Sequence, residues 1–302
     1  MIYDDMQQLI GNTPLVRLRH CGFPDSVRVY AKLELYNPSG SVKDRIGKYM
    51  IEDAEKRGIL VPGSTIVEGT AGNTGLGIAF AALNRGYRLI MVVPTKFSQE
   101  KQALLRALGA EVINTPREEG MLGAERKAEE LRQSIPKAVS LEQFRNPSNP
   151  LAHYETTGPE IWTDLGADID YFVAGAGSGG TYAGIVRYLK EQKRDIKGIL
   201  ADPIGSTMGG GEHGDYDIEG IGNDFIPDTM DMSLVDDVIK VSDDEAFAEA
   251  RLLARNEGII AGSSSGANLA AVRKLAMRIQ CGTIVTVLPD RGERYLSKNL
   301  FL

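Results

Sequence analysis

The nine residues Asn37-Pro38-Ser39-Gly40-Ser41-Val42-Lys43-Asp44-Arg45 decide how the chain is read. Before them, the apolar pattern of Val29 to Leu35 (VYAKLEL) predicts a strand with Lys32 and Glu34 on its second face. After them, Ile46, Tyr49, Met50 and Ala54 recur at helical spacing and predict a helix over Ile46 to Arg57. Lys43 therefore stands at a loop-to-helix junction. A cation there opposes the positive end of the helix dipole, and burial would lower its pKa further and leave free amine. Free amine is the form that condenses with an aldehyde. Gly40 permits a tight bend, and Ser39 and Ser41 supply small hydroxyls. In isolation the plainer reading is a turn carrying a solvated lysine.

Working outward, strands and helices alternate. Strands are expected at Thr65 to Glu68, Tyr87 to Val93 and Ala110 to Ile113, and helices through Leu83, from the Ser98 cap to Leu108, and over Gly123 to Gln133. Gln143 to Pro150 (QFRNPSNP) reads as a linker. The alternation then restarts. Helices are expected at His153 to Leu165, Thr181 to Lys190, Asp243 to Glu257 (capped by Ser242) and Gly266 to Ala276, with strands at Ile169 to Ala174, Ile196 to Leu200, Val238 to Val241 and Thr283 to Leu288. Asp202 to Gly222 is a long glycine-rich loop. Such alternation predicts an α/β fold with parallel sheets and helices on their faces.

Composition narrows the partners. A net charge of −7 over 302 residues argues against nucleic acid and anionic membranes. The start MIYDDMQQLI lacks the basic and apolar regions of a signal peptide, and no apolar run is long enough to span a bilayer. Cys21 and Cys281 read as reduced thiols of a cytoplasmic protein. His20, His153 and His213 have no metal-site spacing, so no metal is expected.

Three glycine-rich loops follow strands, where open parallel sheets bind ligands. Glu68 to Gly75 (EGTAGNTG) opens a helix and suits a carboxylate, with Asn73 free to donate to a ring oxygen; a tight turn with a threonine cap is the plainer alternative. Gly175 to Thr181 (GAGSGGT) suits a phosphate, held by backbone N–H groups and the hydroxyls of Ser178 and Thr181. Its glycines also fit G-x-G-x-x-G, with Asp195 or Asp202 at the distance of a ribose-binding acid. A nicotinamide-dependent oxidoreductase is therefore the alternative of a different class. Gly262 to Gly266 (GSSSG) brings three hydroxyls to a helix start, either as a polar cap or as a partner for a neutral ring nitrogen.

Taken in order, these segments resemble the fold-type II pyridoxal-phosphate enzymes, the tryptophan-synthase-β-like family, and within it the cysteine synthase and cystathionine β-synthase branch. The resemblance runs from Gly11-Asn12-Thr13-Pro14-Leu15 through NPSGSVKDR, GTAGNTG, HYETTGPEI, GAGSGGT, EGIGNDFIP (Glu219 to Pro227) and GSSSGA to PDRGERYLS (Pro289 to Ser297). It implies two three-layer αβα domains with mostly parallel sheets. Residues 37–147 would form the smaller N-terminal domain, and residues 1–36 with 148–302 the larger, phosphate-binding one. Lys43 would be the Schiff-base lysine and proton shuttle, Asn73 a partner of the cofactor's 3′-oxygen, and Ser264 that of its pyridine nitrogen. Gly177, Ser178, Gly179, Gly180 and Thr181 would hold the phosphate. Thr70, Ala71, Gly72, Thr74 and Gln143 would hold the substrate carboxylate, and Glu219 to Gly222, with Gly220 and the candidate catalytic acid Glu219, would line the pocket. The implied activity is β-replacement or β-elimination on L-serine, O-acetyl-L-serine or L-cysteine by way of an α-aminoacrylate, with sulfide or a thiol such as homocysteine as nucleophile. A cysteine lyase releasing hydrogen sulfide is the alternative within the family. A homodimer is expected.

The sequence departs from that pattern at three points. Ala71 replaces a usual Ser or Thr, Arg291 a usual Ser, and Asp224 a usual Gly. Asp224 is a candidate catalytic acid, to draw in the amino group of a second amino acid or to steer a water. Thr74 follows Asn73 where related dehydratases carry His. The short ends lead us to expect neither a haem segment nor a regulatory module.

Overall fold

Alternating burial along the strands builds two sheets, each with apolar clusters on both faces. A computed structural model describes residues 2–70, 72–95 and 97–301. In the first part of the chain, β1 (Leu15–Arg17) and β2 (Val27–Lys32) lead to α1 (Lys43–Lys56). There follow β3 (Thr65–Gly69), α2 (Asn73–Ala81), β4 (Arg88–Pro94), α3 (Gln99–Ala107), β5 (Glu111–Thr115), α4 (Gly120–Ser134) and β6 (Ala138–Val139). The second part holds α5 (Ser148–Ala152), α6 (Gly158–Leu165), β7 (Tyr171–Gly175), α7 (Gly180–Gln192), β8 (Lys197–Pro203), β9 (Asp237–Val241), α8 (Asp243–Glu257), α9 (Ser263–Ala276) and β10 (Gly282–Val287).

One sheet has the order β5-β4-β3-β6 and the other β1-β2-β10-β7-β8-β9. Only the β1–β2 ladder is antiparallel; the other ladders are parallel. The expected α/β fold with mostly parallel sheets is therefore present. In the larger sheet Val173 packs into a cluster with Leu269 and Val272 of α9, while its neighbours Phe172 and Ala174 pack with Tyr182 and Ile185 of α7 on the other face. In the smaller sheet Ile66 and Met91 face Ile46 and Leu76, and Val67 and Ile90 face Ala124 of α4. Period-two alternation thus covers each sheet with helices on both sides.

Three expectations shift. The strand read as Val29 to Leu35 ends at Lys32, and Glu34–Tyr36 form a 3₁₀ turn. The reason lies in Glu34, which is fully buried and hydrogen-bonded to Arg45 of α1 rather than set on a sheet face. The linker read over Gln143 to Pro150 is irregular only as far as residue 147, because Ser148-Asn149-Pro150 open α5. Proline is tolerated in a first helical turn, whose N–H groups lack intrahelical acceptors. The helix then runs through a π-turn, His153–Thr157, into α6. The two-residue β6 is too short to give a periodic signal.

Helices α1 and α2 cross at two glycines. A Cβ on Gly77 would overlap the carbonyl of Lys43, and one on Gly47 would overlap the backbone of Gly77. Only glycine at both positions permits this approach.

Candidate active site

Parallel neighbours end on the same side of a sheet, so the loops after β7 and β10 open together. The segment after β10 carries Asp290, which is buried and connects several candidate residues. Its backbone bridges Ser41, and the Val42 N–H donates to the Pro289 carbonyl at 2.8 Å, which fixes Lys43 at the first turn of α1. The Gly262 N–H, at the start of α9, donates to the Asp290 carbonyl at 3.0 Å. Asn73 Nδ2 donates to Asp290 Oδ2 at 2.7 Å. Lys43, Asn73 and the Ser263–Ser265 run thus meet at the C-terminal edge of the larger sheet.

Lys43 is half-buried, and its amine has no hydrogen bond or ion pair among the described residues. Burial pulls its pKa down to about 8, against the opposing charge of Asp290. Burial is the dominant cause, beyond the helix-end effect expected from the sequence.

The loop after β7 is lined with unused donors. The backbone N–H groups of Gly177, Ser178, Gly179, Gly180 and Thr181 have no acceptor among the described residues. Gly179 takes the left-handed conformation with φ 82°, which favours glycine. The rear of the loop is packed. Asn149 Nδ2 donates to Ser178 Oγ at 2.9 Å, and Asn223 Nδ2 donates to the Gly177 carbonyl at 2.5 Å. A Cβ on Gly180 would overlap Asn149 Oδ1, and one on Gly177 would overlap the Gly220 carbonyl. Thr181 Oγ1 lies 3.1 Å from Nε2 of the buried His153, whose Nδ1 lies 2.9 Å from Thr157 Oγ1. Burial, with the charges of Arg45 and Lys43, holds this imidazole well below its usual pKa and therefore neutral.

A second cradle opens at α2. Thr70 Oγ1 accepts from the Gly72 and Gly75 N–H groups at 3.1 and 3.2 Å, while the N–H groups of Asn73 and Thr74 have no acceptor among the described residues. Thr74 Oγ1 donates to Gln143 Oε1 at 2.6 Å, joining two of the expected carboxylate-binding residues across 69 positions of sequence. Ala71 lies outside the described residues.

These residues fit pyridoxal phosphate. A half-buried amine without a partner suits the aldehyde, and the row of free N–H groups at the α7 N-terminus suits a phosphate dianion. The buried Ser264 hydroxyl, also without a partner among the described residues, suits a neutral ring nitrogen. Asn73 gives one N–H to Asp290 and keeps the second for a ring oxygen, while its Oδ1 accepts from Arg294 Nη1 at 2.6 Å.

Two acids lie differently from their expected roles. Glu219 is tied to the buried Lys101 at 2.8 Å and, more loosely, to Lys298 at 3.6 Å, so its charge is matched rather than free for a substrate amine. Asp224 is exposed and paired with His213 at 2.9 Å on the outer side of its loop. Tyr216, on the same loop, is half-buried, and burial pushes its hydroxyl up to about 12. Asp202, the ribose acid of the nicotinamide alternative, is buried against Lys240 at 2.5 Å and the Gly209 N–H at 3.0 Å.

Sequence reading missed the network behind these groups. Lys101 Nζ lies 3.2 Å from Tyr295 Oη and 4.3 Å from the centre of that ring; Tyr295 Oη donates to Asp290 Oδ2 at 2.6 Å. Arg294 binds the Ser39 carbonyl, and Ser39 binds the carboxylate of Asp44, which burial raises to about 6. The quoted PDRGERYLS run holds Asp290, Arg294 and Tyr295, but nothing local in it points to partners some 200 residues away.

The sequence matches the family described as "Pyridoxal-phosphate dependent enzyme" over residues 6–290. It is 47% identical to a cysteine synthase of Helicobacter pylori, covering 100% of both chains. Among solved structures, an O-acetylserine-dependent cystathionine β-synthase from Helicobacter pylori superimposes with a TM-score of 0.96 at 47% identity, covering 100% of both chains. A hydrogen sulfide-producing enzyme from Fusobacterium nucleatum gives 0.94 at 40% identity, over 98% of this chain and 100% of its own.

Proposed function

The chain belongs to the pyridoxal-phosphate-dependent enzyme family, and from that premise we propose that it replaces the β-substituent of O-acetyl-L-serine, or of L-serine or L-cysteine, with sulfide or a thiol to form cysteine or cystathionine. The observation that carries this reading is the unpartnered, half-buried amine of Lys43, set at the sheet edge where two cradles of free N–H groups open. Relatives named cysteine synthase and O-acetylserine-dependent cystathionine β-synthase support the reaction class.

Pyridoxal phosphate, when bound, supplies an aldehyde for amines and a ring that draws electrons from the α-carbon of an attached amino acid. Lys43 would hold the cofactor's aldehyde through its amine, and its Nζ would be the base that takes the substrate's Cα proton. Its pKa of about 8 makes it mostly free amine, and so a competent base, only above about pH 8. Gly177 to Thr181 bind the phosphate through backbone N–H groups. Thr70, Gly72, Thr74 and Gln143, with the α2 N-terminus, bind and orient the substrate carboxylate. Ser264 offers the ring nitrogen a neutral hydroxyl; it lacks the charge that would hold a proton there, which favours loss of a β leaving group over transamination. Glu219 fixes Lys101, and Gly220 backs the phosphate loop at Gly177.

A second reading, release of hydrogen sulfide from L-cysteine, is supported by the Fusobacterium nucleatum neighbour. On it, Asp224 steers a water or a second thiol. We further propose that residues 37–147 are the smaller domain, and that the enzyme works as a cytoplasmic homodimer, in keeping with two free cysteines and an acidic surface.

The test is a product assay of the pyridoxal-phosphate-loaded enzyme with O-acetylserine, serine and cysteine, each with and without sulfide and homocysteine. Cysteine or cystathionine from O-acetylserine is the expected outcome. A loaded enzyme that releases only pyruvate and ammonia from every donor, whatever the acceptor, overturns β-replacement.

A further inference from the structure

Glu68 is an acid at the end of β3, inside the smaller sheet, and it is 5% exposed. Its Oε1 accepts three hydrogen bonds: from the Leu141 N–H, from the Glu142 N–H at 3.3 Å and from Ser140 Oγ at 3.2 Å. These anchor the segment that delivers Gln143 to Thr74. Its Oε2 has no partner among the described residues, although Glu68 lines a groove of about 900 Å³. Burial pushes the carboxyl up to about 7, against the pull of the Leu141 N–H and Ser140 hydroxyl.

The groove meets the carboxylate cradle at Gln143, which lines both. Its far wall is Phe144 and Phe225, edge to face at 5.6 Å. The rim carries the half-buried Arg132 and the exposed Arg145, each paired with a neighbouring glutamate, and the lining also holds Glu125, Glu129, Glu142 and Asp228. A sulfide ion has no use for such a space, which matches the size of small-molecule sites, roughly 300–1,000 Å³. A carboxylate oxygen without a partner among the described residues, at a groove whose other acids add to its negative potential, is complementary to the ammonium group of an amino acid, and Phe144 and Phe225 to its apolar chain.

Resting on the β-replacement reading, we propose that this groove is the acceptor subsite, that it takes an α-amino acid carrying a side-chain thiol, and that Glu68 Oε2 receives its ammonium group. Glu68 is then a specificity residue: it selects among nucleophiles and does not touch the bonds being broken.

The experiment compares the wild type, Glu68→Gln and Ser140→Ala in the loaded enzyme with O-acetylserine. Three acceptors are used: sulfide, homocysteine and 4-mercaptobutyrate, which is homocysteine without its amino group. In the wild type, KM for 4-mercaptobutyrate should exceed that for homocysteine by about tenfold or more, the usual effect of losing a charge-assisted hydrogen bond. In Glu68→Gln that preference should fall to about threefold or less, and the homocysteine-to-sulfide ratio of kcat/KM should fall about tenfold. Ser140→Ala weakens the anchoring of 140–142 without touching Oε2 and should keep the wild-type preference. Equal KM for the two thiols in the wild type overturns the proposal whatever the variants do. So does a Ser140→Ala enzyme that loses the preference as Glu68→Gln does, since anchoring alone then explains it. If only the sulfide product forms, the subsite fails while β-replacement stands; if no acceptor gives product, both readings fall.

Discussion

Lys43 and Arg45 are cations two residues apart in the first turn of α1, and the fold treats them in opposite ways. Arg45 Nε and Nη2 bind both oxygens of Glu34 at 2.7 and 2.8 Å, and Nη1 and Nη2 bind both oxygens of Glu160 at 2.7 and 2.8 Å. Lys32 joins Glu160 at 2.8 Å, and Thr13 and Asn37 fill the remaining positions on Glu34. Burial alone would push the Glu34 carboxyl up, but Arg45 holds it below its usual range. Two positive and two negative charges close on themselves there, while two residues earlier an amine has no partner among the described residues. Burying a charge is tolerable when it is matched; leaving an amine unmatched is tolerable because it can shed its proton. The difference separates a group that fixes the helix from a group free to react.

Substitutions at these two positions test that separation most strongly. Lys43→Ala should cut turnover by about 10³-fold or more, on the scale of losing a nucleophile that is also the base, without lowering the thermal midpoint of the apoprotein. A matching loss of stability would mean the amine has a structural partner after all. Arg45→Met should do the reverse: it strands the buried Glu34 carboxylate, leaves Glu160 to Lys32 alone, and costs about 3–5 kcal/mol in denaturant unfolding. A variant that melts like the wild type would show that the closed cluster does not hold α1.

The next effect is one of cofactor retention. Gly180→Ala drives a methyl group into Asn149 Oδ1 behind the phosphate loop, and overpacking of this kind costs about 1–3 kcal/mol. Titration of the apoprotein with pyridoxal phosphate should then show affinity weakened by about ten- to a hundredfold; unchanged affinity would separate that loop from the phosphate. Smaller is the pH signature of Lys43. Its folded pKa lies below the value of 10.5 expected when unfolded, so between about pH 8 and 10.5 the unfolded chain binds more protons. The stability of the wild-type apoprotein relative to Lys43→Ala should therefore rise with pH across that window, as read by urea titration at pH 7.5, 8.5 and 9.5. A flat difference would mean the amine is not desolvated. The smallest change is expected for Asp224→Gly, whose exposed pair with His213 is worth at most about 1 kcal/mol. Pyridoxal-phosphate affinity should stay within about twofold, by the same titration scale, while the product ratio with sulfide, homocysteine and water shifts; an unaltered ratio removes Asp224 from the choice of acceptor.

How far the sequence could be read follows from the same contrast. Lys43, Asn73, Thr74 and the Gly177–Thr181 loop were legible because each sits where a strand or turn gives way to a helix, a boundary written in local spacing. Arg45 stood in the same quoted stretch, yet its role was hidden, because Glu34 is 11 residues away and Glu160 is 115. Lys101 and Glu219, 118 residues apart, were invisible as a pair for the same reason, so Glu219 was read as a candidate catalytic acid without its partner. The opening of α5 was lost in Asn-Pro-Ser composition, although Asn149 packs behind the phosphate loop. Local chemistry shows through sequence; charge matching across the fold does not.

The glycine crossing of α1 and α2 has a mechanical consequence. With Gly77 seated against the Lys43 carbonyl, the spacing between the Lys43 backbone and α2, whose first turn carries Asn73 and Thr74, is set by two hydrogen-sized side chains. The pair acts as a fixed jig, and a substrate gripped by one is already aligned to the other. Helix α3 and its cap are held differently, by the polar links Lys101–Glu219, Ser98–Arg294 and Glu100–Ser297.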